Sequence, residues 1–430
     1  MKNKLNKDFI INLSKRKNEP SWMLNFRLKA YEKFLELDNP SFGPKINIDF
    51  DNLVYHKGLF APPSCSWENV DKKVKNTFND LGVIEAENKY LKGVSNQYES
   101  EVIYHKMEES DGIIFLSTDE ALKKYPELFE KYFNNLVKYD ENKYTALNGA
   151  LWSGGSFIYI PPYTKVDRPL QSYFRIDTKN LGQFERTIII VDHDSSLHYI
   201  EGCTAKNYST TSLHAGVVEI YVGKNSTCKY STIQNWSKDV YNLVTKRAIL
   251  EEGAYMQWVD GNIGSGVTMK YPSCILKGDN SKASSISIAY AKEGQHLDAG
   301  AKMIHLGKNT KSTIISKSIA GFGGTSDYRG TVKIVKEATG SFATIKCDNI
   351  ILDNISSSNT YPKNIVENNE STLEHEATIS KINEEKLNYL MSLGISEDAA
   401  KDLYVLGFMS DFKKSLPMEY AVELNRLIKE

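Results

Sequence analysis

The sequence predicts a mainly β protein with a helical region at each end. Three observations carry this. For roughly 200 residues after position 150, short β-branched and aromatic segments follow one another between Gly, Ser, Thr and Asn, with hardly a helical period. Before residue 105 and after residue 376, apolar residues recur at helical spacing instead. The length, 430 residues, allows two to four ordinary domains or one large β domain with extensions. No repeat of fixed length is visible, so sandwich, barrel and solenoid stay open on pattern alone. Stacked coils do build so long a β region more readily than one small barrel.

Within region 1–105, Leu24, Leu28, Tyr31 and Leu35 lie on one face of a helix, and Asn18-Glu19-Pro20-Ser21 supplies its start. Pro62-Pro63-Ser64-Cys65 reads as a loop. Region 106–375 holds the strands, for example Arg186 to Val191, His214 to Val222 and Lys311 to Lys317. In region 376–430, Leu387, Leu390 and Met391 share a helix face that Gly394 ends. Ser396 caps a second helix, Glu397 to Leu406, and Pro417 opens a third carrying Ala421, Leu424, Leu427 and Ile428. Such a module is either a lid on the β core or a docking surface.

Composition narrows the function classes. Lys+Arg is 53 against Asp+Glu 54, so net charge gives no reason to expect nucleic acid or an anionic membrane as partner. No apolar run reaches transmembrane length and the first twenty residues do not read as a signal peptide, so a cytoplasmic protein with reduced thiols is expected. The five cysteines (Cys65, Cys203, Cys228, Cys274 and Cys347) contain no CxxC pair. A zinc ribbon, a thioredoxin motif and a local ferredoxin-type site are thereby excluded. Gly223-Lys224 and Gly307-Lys308 are each followed by Asn and lack the rest of a P-loop, so the chain should not hydrolyse ATP by itself. GxGxxG, HExxH and GxSxG are absent.

Strand alternation sorts the remaining candidates by face. Cys228, Tyr230, Thr232, Gln234 and Trp236 share one face. An inward Gln needs hydrogen-bond partners or a channel; an outward Gln and Trp would mark a contact surface instead. Arg175 and Asp177 share a face and suit an ion pair. Cys203 follows Gly202 at a strand end, where backbone freedom and access would suit a reactive thiol. Cys347 ends a strand before Asp348. Glu374-His375-Glu376 is the densest ligand-type cluster: in extended chain His375 opposes the two carboxylates, and in a turn all three converge. The bland alternative is a solvated acidic turn.

Taken together, long ordered runs resemble the SufB/SufD family of iron–sulfur cluster assembly proteins, and its SufB-type scaffolds in particular. Among them are Glu19-Pro-Ser-Trp-Met-Leu, Ala146 to Tyr159, Tyr199-Ile-Glu-Gly-Cys, Tyr230 to Trp236, Lys270-Tyr-Pro-Ser-Cys, Lys302 to Lys317, Tyr328-Arg-Gly and Leu373-Glu-His-Glu-Ala-Thr. They cover nearly the whole chain. The resemblance implies a right-handed parallel β-helix core between helical ends. It implies a non-enzymatic scaffold that accepts persulfide sulfur from a cysteine desulfurase and its transfer protein. It implies pairing through the β-helix with SufD or a second SufB copy, and a SufC ATPase docked on the C-terminal helices. The sulfur acceptor is then Cys203, and Arg175, Gln234, Trp236 and Lys246 line an inner path. The nascent cluster is assembled at Cys347, with Glu374, His375 and Glu376 as candidate ligands and iron expected on Cys347, His375 and Glu376. Some members also imply reduced FAD in the complex.

Two departures stand out. Asp177 occupies a position where many relatives carry Asn, and Cys65 stands alone where some have a cysteine-rich motif. Two other readings compete: a SufD-like structural subunit of the same complex, and a β-helix carbohydrate enzyme using Glu374 and Glu376 as acid and base.

Overall fold

The computed structural model describes residues 4–108, 112–206, 211–410 and 412; the helix expected from Pro417 lies outside them. The β region is a parallel solenoid of about eight coils. Each coil contributes a strand to a ten-stranded sheet and one or two strands to a twelve-stranded sheet facing it. Leu170, Tyr199, Tyr230, Trp258, Ser285, Ile314, Ile345 and His375 stack in register, one per coil, which gives coil lengths of about 27 to 31 residues. That variation is why no fixed period shows in the sequence.

A recurrent corner sets the stacking. Asp194, Asn225, Asn280 and Asn309 all have φ between 55° and 59°, and Gly253 and Gly340 take the same left-handed conformation at the equivalent corners. Asn, Asp and Gly tolerate this region best. The backbone N–H of Asn280 donates to the Lys308 carbonyl at 2.8 Å, and that of Asn309 to Thr339 at 2.9 Å, so each corner locks onto the next. The two Gly-Lys-Asn runs are therefore solenoid corners.

Inward side chains form one long apolar core that includes Leu197, Tyr230, Trp258, Met303, Val332 and Ile345. His305 is buried within a coil, its ring bonded to Thr310 and Ser312 at 2.8 Å each. Burial lowers its pKa to about 4. The unfolded chain therefore binds a proton that the folded chain refuses between pH 6.5 and 4. The resulting stability is complete above the unfolded value and is lost as pH falls toward 4. Urea unfolding at pH 7 and pH 4.5 should show an acid loss about 2 kcal/mol larger in wild type than in His305→Gln.

The outer faces carry the helices. Helix Ser21–Glu36 buries Met23, Arg27, Ala30, Tyr31 and Phe34, while Leu35, expected on the buried stripe, is exposed. Arg27 forms a two-point ion pair with Glu19 (2.8 and 2.6 Å) and donates to the carbonyls of Ala150 and Trp152, so this helix is tied to the short helix Lys143–Leu151 on the solenoid wall. Helices Glu384–Ser392 and Glu397–Phe408 follow the last coil, the second capped by Ser396 as expected. Val405, Met409 and Phe412 pack on the outer face of the ten-stranded sheet beside Ile233, Ile263 and Tyr290. The last coil, strands Ser357–Val366 and Thr372–Lys381, forms one edge of each sheet, and no further strand pairs with it among the described residues. No helix among the described residues is long and apolar enough to cross a membrane.

Candidate functional site

Two polar columns run along the solenoid interior, where apolar residues would be the cheaper choice. One consists of Glu201, Thr232, Asp260, Ser287, Ser316 and Cys347, in register on successive strands of the ten-stranded sheet. The other, two residues along, consists of Cys203, Gln234, Asn262, Ala289, Ser318 and Asn349, polar except at Ala289. All twelve are buried. Five strand spacings separate the Cys203 coil from the Cys347 coil, about 24 Å. Gln234 and Trp236 thus face inward, and the contact-surface alternative is set aside.

Three buried ion pairs surround Cys203. Lys246 Nζ sits 2.9 Å from Glu201 Oε1, and Lys270 Nζ sits 2.9 Å from Asp260 Oδ2. His214 Nε2 lies 2.7 Å from Glu185 Oε1. Tyr230 donates its hydroxyl to Glu201, and the Cys203 sulfur lies 3.7 Å from the same carboxylate. Burial works to raise the Glu201 carboxyl, but Lys246 and Tyr230 hold it below its ordinary value. Burial, Glu201 and Glu185 together push the Cys203 thiol well above its ordinary value, against the pull of Lys246 and Lys270. The resting thiol is therefore neutral.

The expected accessible corner at Cys203 is not formed. Strand Ser196–Ala205 continues through Gly202, which is paired on both sides with Tyr173 and Ile233, and Cys203 is 1% exposed. Cys347 is likewise buried, and burial pushes its thiol up to about 12 despite the neighbouring Tyr328 hydroxyl. Cys228 and Cys274 are interior packing residues, the latter accepting from the Trp258 indole at 3.2 Å; Cys65 is exposed.

Arg175 lies on the outer face of its strand, opposite to Phe174, whose register partner is Cys203. It forms the expected ion pair with Asp177 at 2.7 Å and donates to Thr204 at 3.1 Å. The structure thus separates Arg175 from the interior group of Gln234, Trp236 and Lys246. Glu374-His375-Glu376 is extended within strand Thr372–Lys381. His375 shares the inward face with Ala377, the register partner of Cys347. Glu374 and Glu376 point the other way, Glu376 lying 3.6 Å from Lys346. His375 Nδ1 contacts Asn364 at 3.0 Å, and burial lowers its pKa, which favours the neutral ring a metal needs. No group of three or more metal-type side chains converges among the described residues.

Sequence reasoning missed Glu185, Glu201, His214, Asn242, Asp260 and Lys270. The available signal was parity: Glu201 is two residues from Cys203 and so shares its inward face. Likewise Asn242 is four residues from Lys246 on one strand. Which cation meets which carboxylate depends on coil lengths that no local pattern reveals.

Comparison with known proteins agrees with this architecture. The family model "SUF system FeS cluster assembly, SufBD core domain" matches residues 174–408, and "SufBD protein N-terminal region" matches residues 69–172. The chain is 53% identical to the iron–sulfur cluster assembly protein SufB of Bacillus subtilis (strain 168), over 99% of this chain and 92% of that protein. It is 54% identical, with the same coverage, to an iron–sulfur cluster assembly SufBD family protein of Staphylococcus epidermidis (strain ATCC 12228) and to one of Staphylococcus aureus (strain MRSA252). With the core-domain model matching more than half of this chain and such relatives aligned almost end to end, the chain belongs to the SufBD family and has its role in iron–sulfur cluster assembly.

Proposed function

We propose that the chain is the scaffold on which a transient cluster is built, with Cys203 receiving sulfane sulfur and Cys347 holding it where iron is added. The observation that carries this reading is the double polar column joining the two buried cysteines through an otherwise apolar solenoid. The transfer is a thiol–persulfide exchange. Cys203 attacks the outer sulfur of a donor persulfide, the donor S–S bond breaks, and the proton from Cys203 ends on the departing donor thiol. No oxidant or reductant is consumed. The cysteine desulfurase and its transfer protein supply the donor. Conversion of the sulfane sulfur to sulfide needs two further electrons, which reduced FAD in the complex would supply.

At the last-coil end, this chain presents Cys347 and His375 on one face. Two donors are too few to retain a cluster, which suits a product that must leave. The remaining ligands would come from a partner, SufD or a second SufB copy, paired along the sheet edges there; Glu374 and Glu376 would join only if the last strand turned. The C-terminal helices would dock the SufC ATPase, whose cycle would open the buried thiols. Several features favour this over the SufD-like reading: Cys203, Cys347, and the inward Gln234–Trp236 pair.

Anaerobic charging by desulfurase, transfer protein and cysteine, without iron, tests the order of transfer. Peptide mass spectrometry should find an extra sulfur on both Cys203 and Cys347 in wild type. Cys347→Ala should keep it on Cys203, and Cys203→Ala should carry it on neither. Normal charging of Cys347 in Cys203→Ala would overturn the path.

A further inference from the structure

The side chains around Gln234 are fixed in one orientation. Lys270 Nζ lies 3.0 Å from the Gln234 carboxamide and can only donate, so the atom facing it is Oε1. Asn242 reaches the same Oε1 at 2.7 Å and must donate through Nδ2. Its Oδ1 therefore accepts from His214 Nδ1 at 2.8 Å. The other ring nitrogen of His214 donates to Glu185, which with Asn242 raises the His214 pKa above its ordinary value although burial opposes it. Lys270 is anchored in turn by Asp260. The bonds from Lys270 to Glu185 admit one consistent assignment of donors and acceptors. With Oε1 doubly occupied, Gln234 Nε2 is buried and has no partner among the described residues, and the same holds for Trp236 Nε1. Gln234 is the register partner of Cys203, and Trp236, its ring tilted 39° to that of His214 with centroids 4.6 Å apart, packs with Cys203 in one cluster.

The three ion pairs near Cys203 are each internally compensated, so none offers a spare cation to an arriving anion. Two buried N–H groups without a partner among the described residues, on two residues that neighbour Cys203, are what a soft anion there would need. We propose that Asn242 and Lys270 are positioning residues that lock the Gln234 carboxamide so that its N–H, with the Trp236 indole N–H, holds the terminal anionic sulfur of a Cys203 persulfide. This rests on Cys203 being the sulfur acceptor.

The test follows persulfide acidity. Wild type and variants are charged anaerobically with cysteine persulfide, and the capture of the terminal sulfur on Cys203 by iodoacetamide is followed against pH by mass spectrometry. Asn242→Asp offers no donor and sets a carboxylate against Oε1, so the Gln234 carboxamide loses its locked orientation and its N–H is no longer held toward the sulfur. The apparent pKa of the Cys203 persulfide should rise by about one unit, a tenfold loss of anion at a given lower pH. Gln234→Glu, which keeps both contacts on Oε1, should give the same rise, and Asn242→Ser, which retains a donor, should stay near wild type. Because both new carboxylates also repel an anion, Gln234→Met, which removes the N–H without adding charge, should show a rise as well; a wild-type pKa there with only a lowered melting temperature marks a merely structural role. Should Asn242→Asp not fold, Gln234→Glu decides. A wild-type pKa in folded Gln234→Glu overturns the positioning role by itself. Failure of wild-type Cys203 to take up sulfur overturns the acceptor assignment and the positioning role with it.

Discussion

Cys347→Ala should lose cluster formation. In anaerobic reconstitution with iron, cysteine and a desulfurase, the visible absorption and Mössbauer signature of a cluster should fall by roughly tenfold or more relative to wild type. The reason is geometric. Cys347 ends the polar column at the second-to-last strand of its sheet, and the only metal-type side chain on the same face of the neighbouring last strand is His375. Removing the thiol leaves one imidazole there, since Glu374 and Glu376 project from the opposite face. The fold should survive, because Cys347 sits in a core that already contains Ala343 in the same inward column of its strand. An unchanged spectrum in a folded Cys347→Ala protein would remove the site from this position and direct attention to Cys203.

What was legible in the sequence follows from how local each feature is. Period-two alternation put Cys228 to Trp236 on one face and Arg175 with Asp177 on another, and both hold because strand parity needs no tertiary information. Helix caps at Ser396 and the break at Gly394 were equally local. The corners are visible as Gly-Lys-Asn runs but read as failed nucleotide loops; their role appears only when Asn225 and Asn309 are seen stacked with Asp194, Gly253 and Gly340. An exposed corner at Cys203 is the natural expectation because glycine suggests a break, whereas pairing on both sides keeps Gly202 in the strand. Two of the interior ion pairs join strands of opposite sheets, Glu201 with Lys246 and Asp260 with Lys270. Their partnership is set by how many residues each coil takes to return, a quantity that varies from coil to coil.

The Glu201–Lys246 pair should separate stability from chemistry. Lys246→Met leaves a carboxylate 1% exposed without its cation, and the expected loss is about 3–5 kcal/mol in urea or thermal unfolding. Glu201→Gln strands the ammonium and should cost a similar amount. The double variant removes both charges, leaves a carboxamide oxygen to accept from Tyr230, and should return to within about 1 kcal/mol of wild type, since a buried pair seldom contributes much net stability. Reactivity should not follow that pattern. Glu201 pushes the Cys203 thiol up and Lys246 pulls it down. Alkylation of Cys203 at a fixed mildly alkaline pH should therefore quicken in Glu201→Gln and slow in Lys246→Met, although both variants are destabilised. Sulfur uptake in the stable double variant, which leaves neither charge beside the thiol, shows whether the compensated pair acts beyond packing. If the two single variants changed alkylation in the same direction, local unfolding would account for both and the electrostatic control of Cys203 would be wrong. If the double variant charged Cys203 as wild type does, the pair would be an ornament of packing. The opposite signs are the decisive feature, because a loss of stability exposes the thiol in either single variant whereas the charge left behind differs in sign.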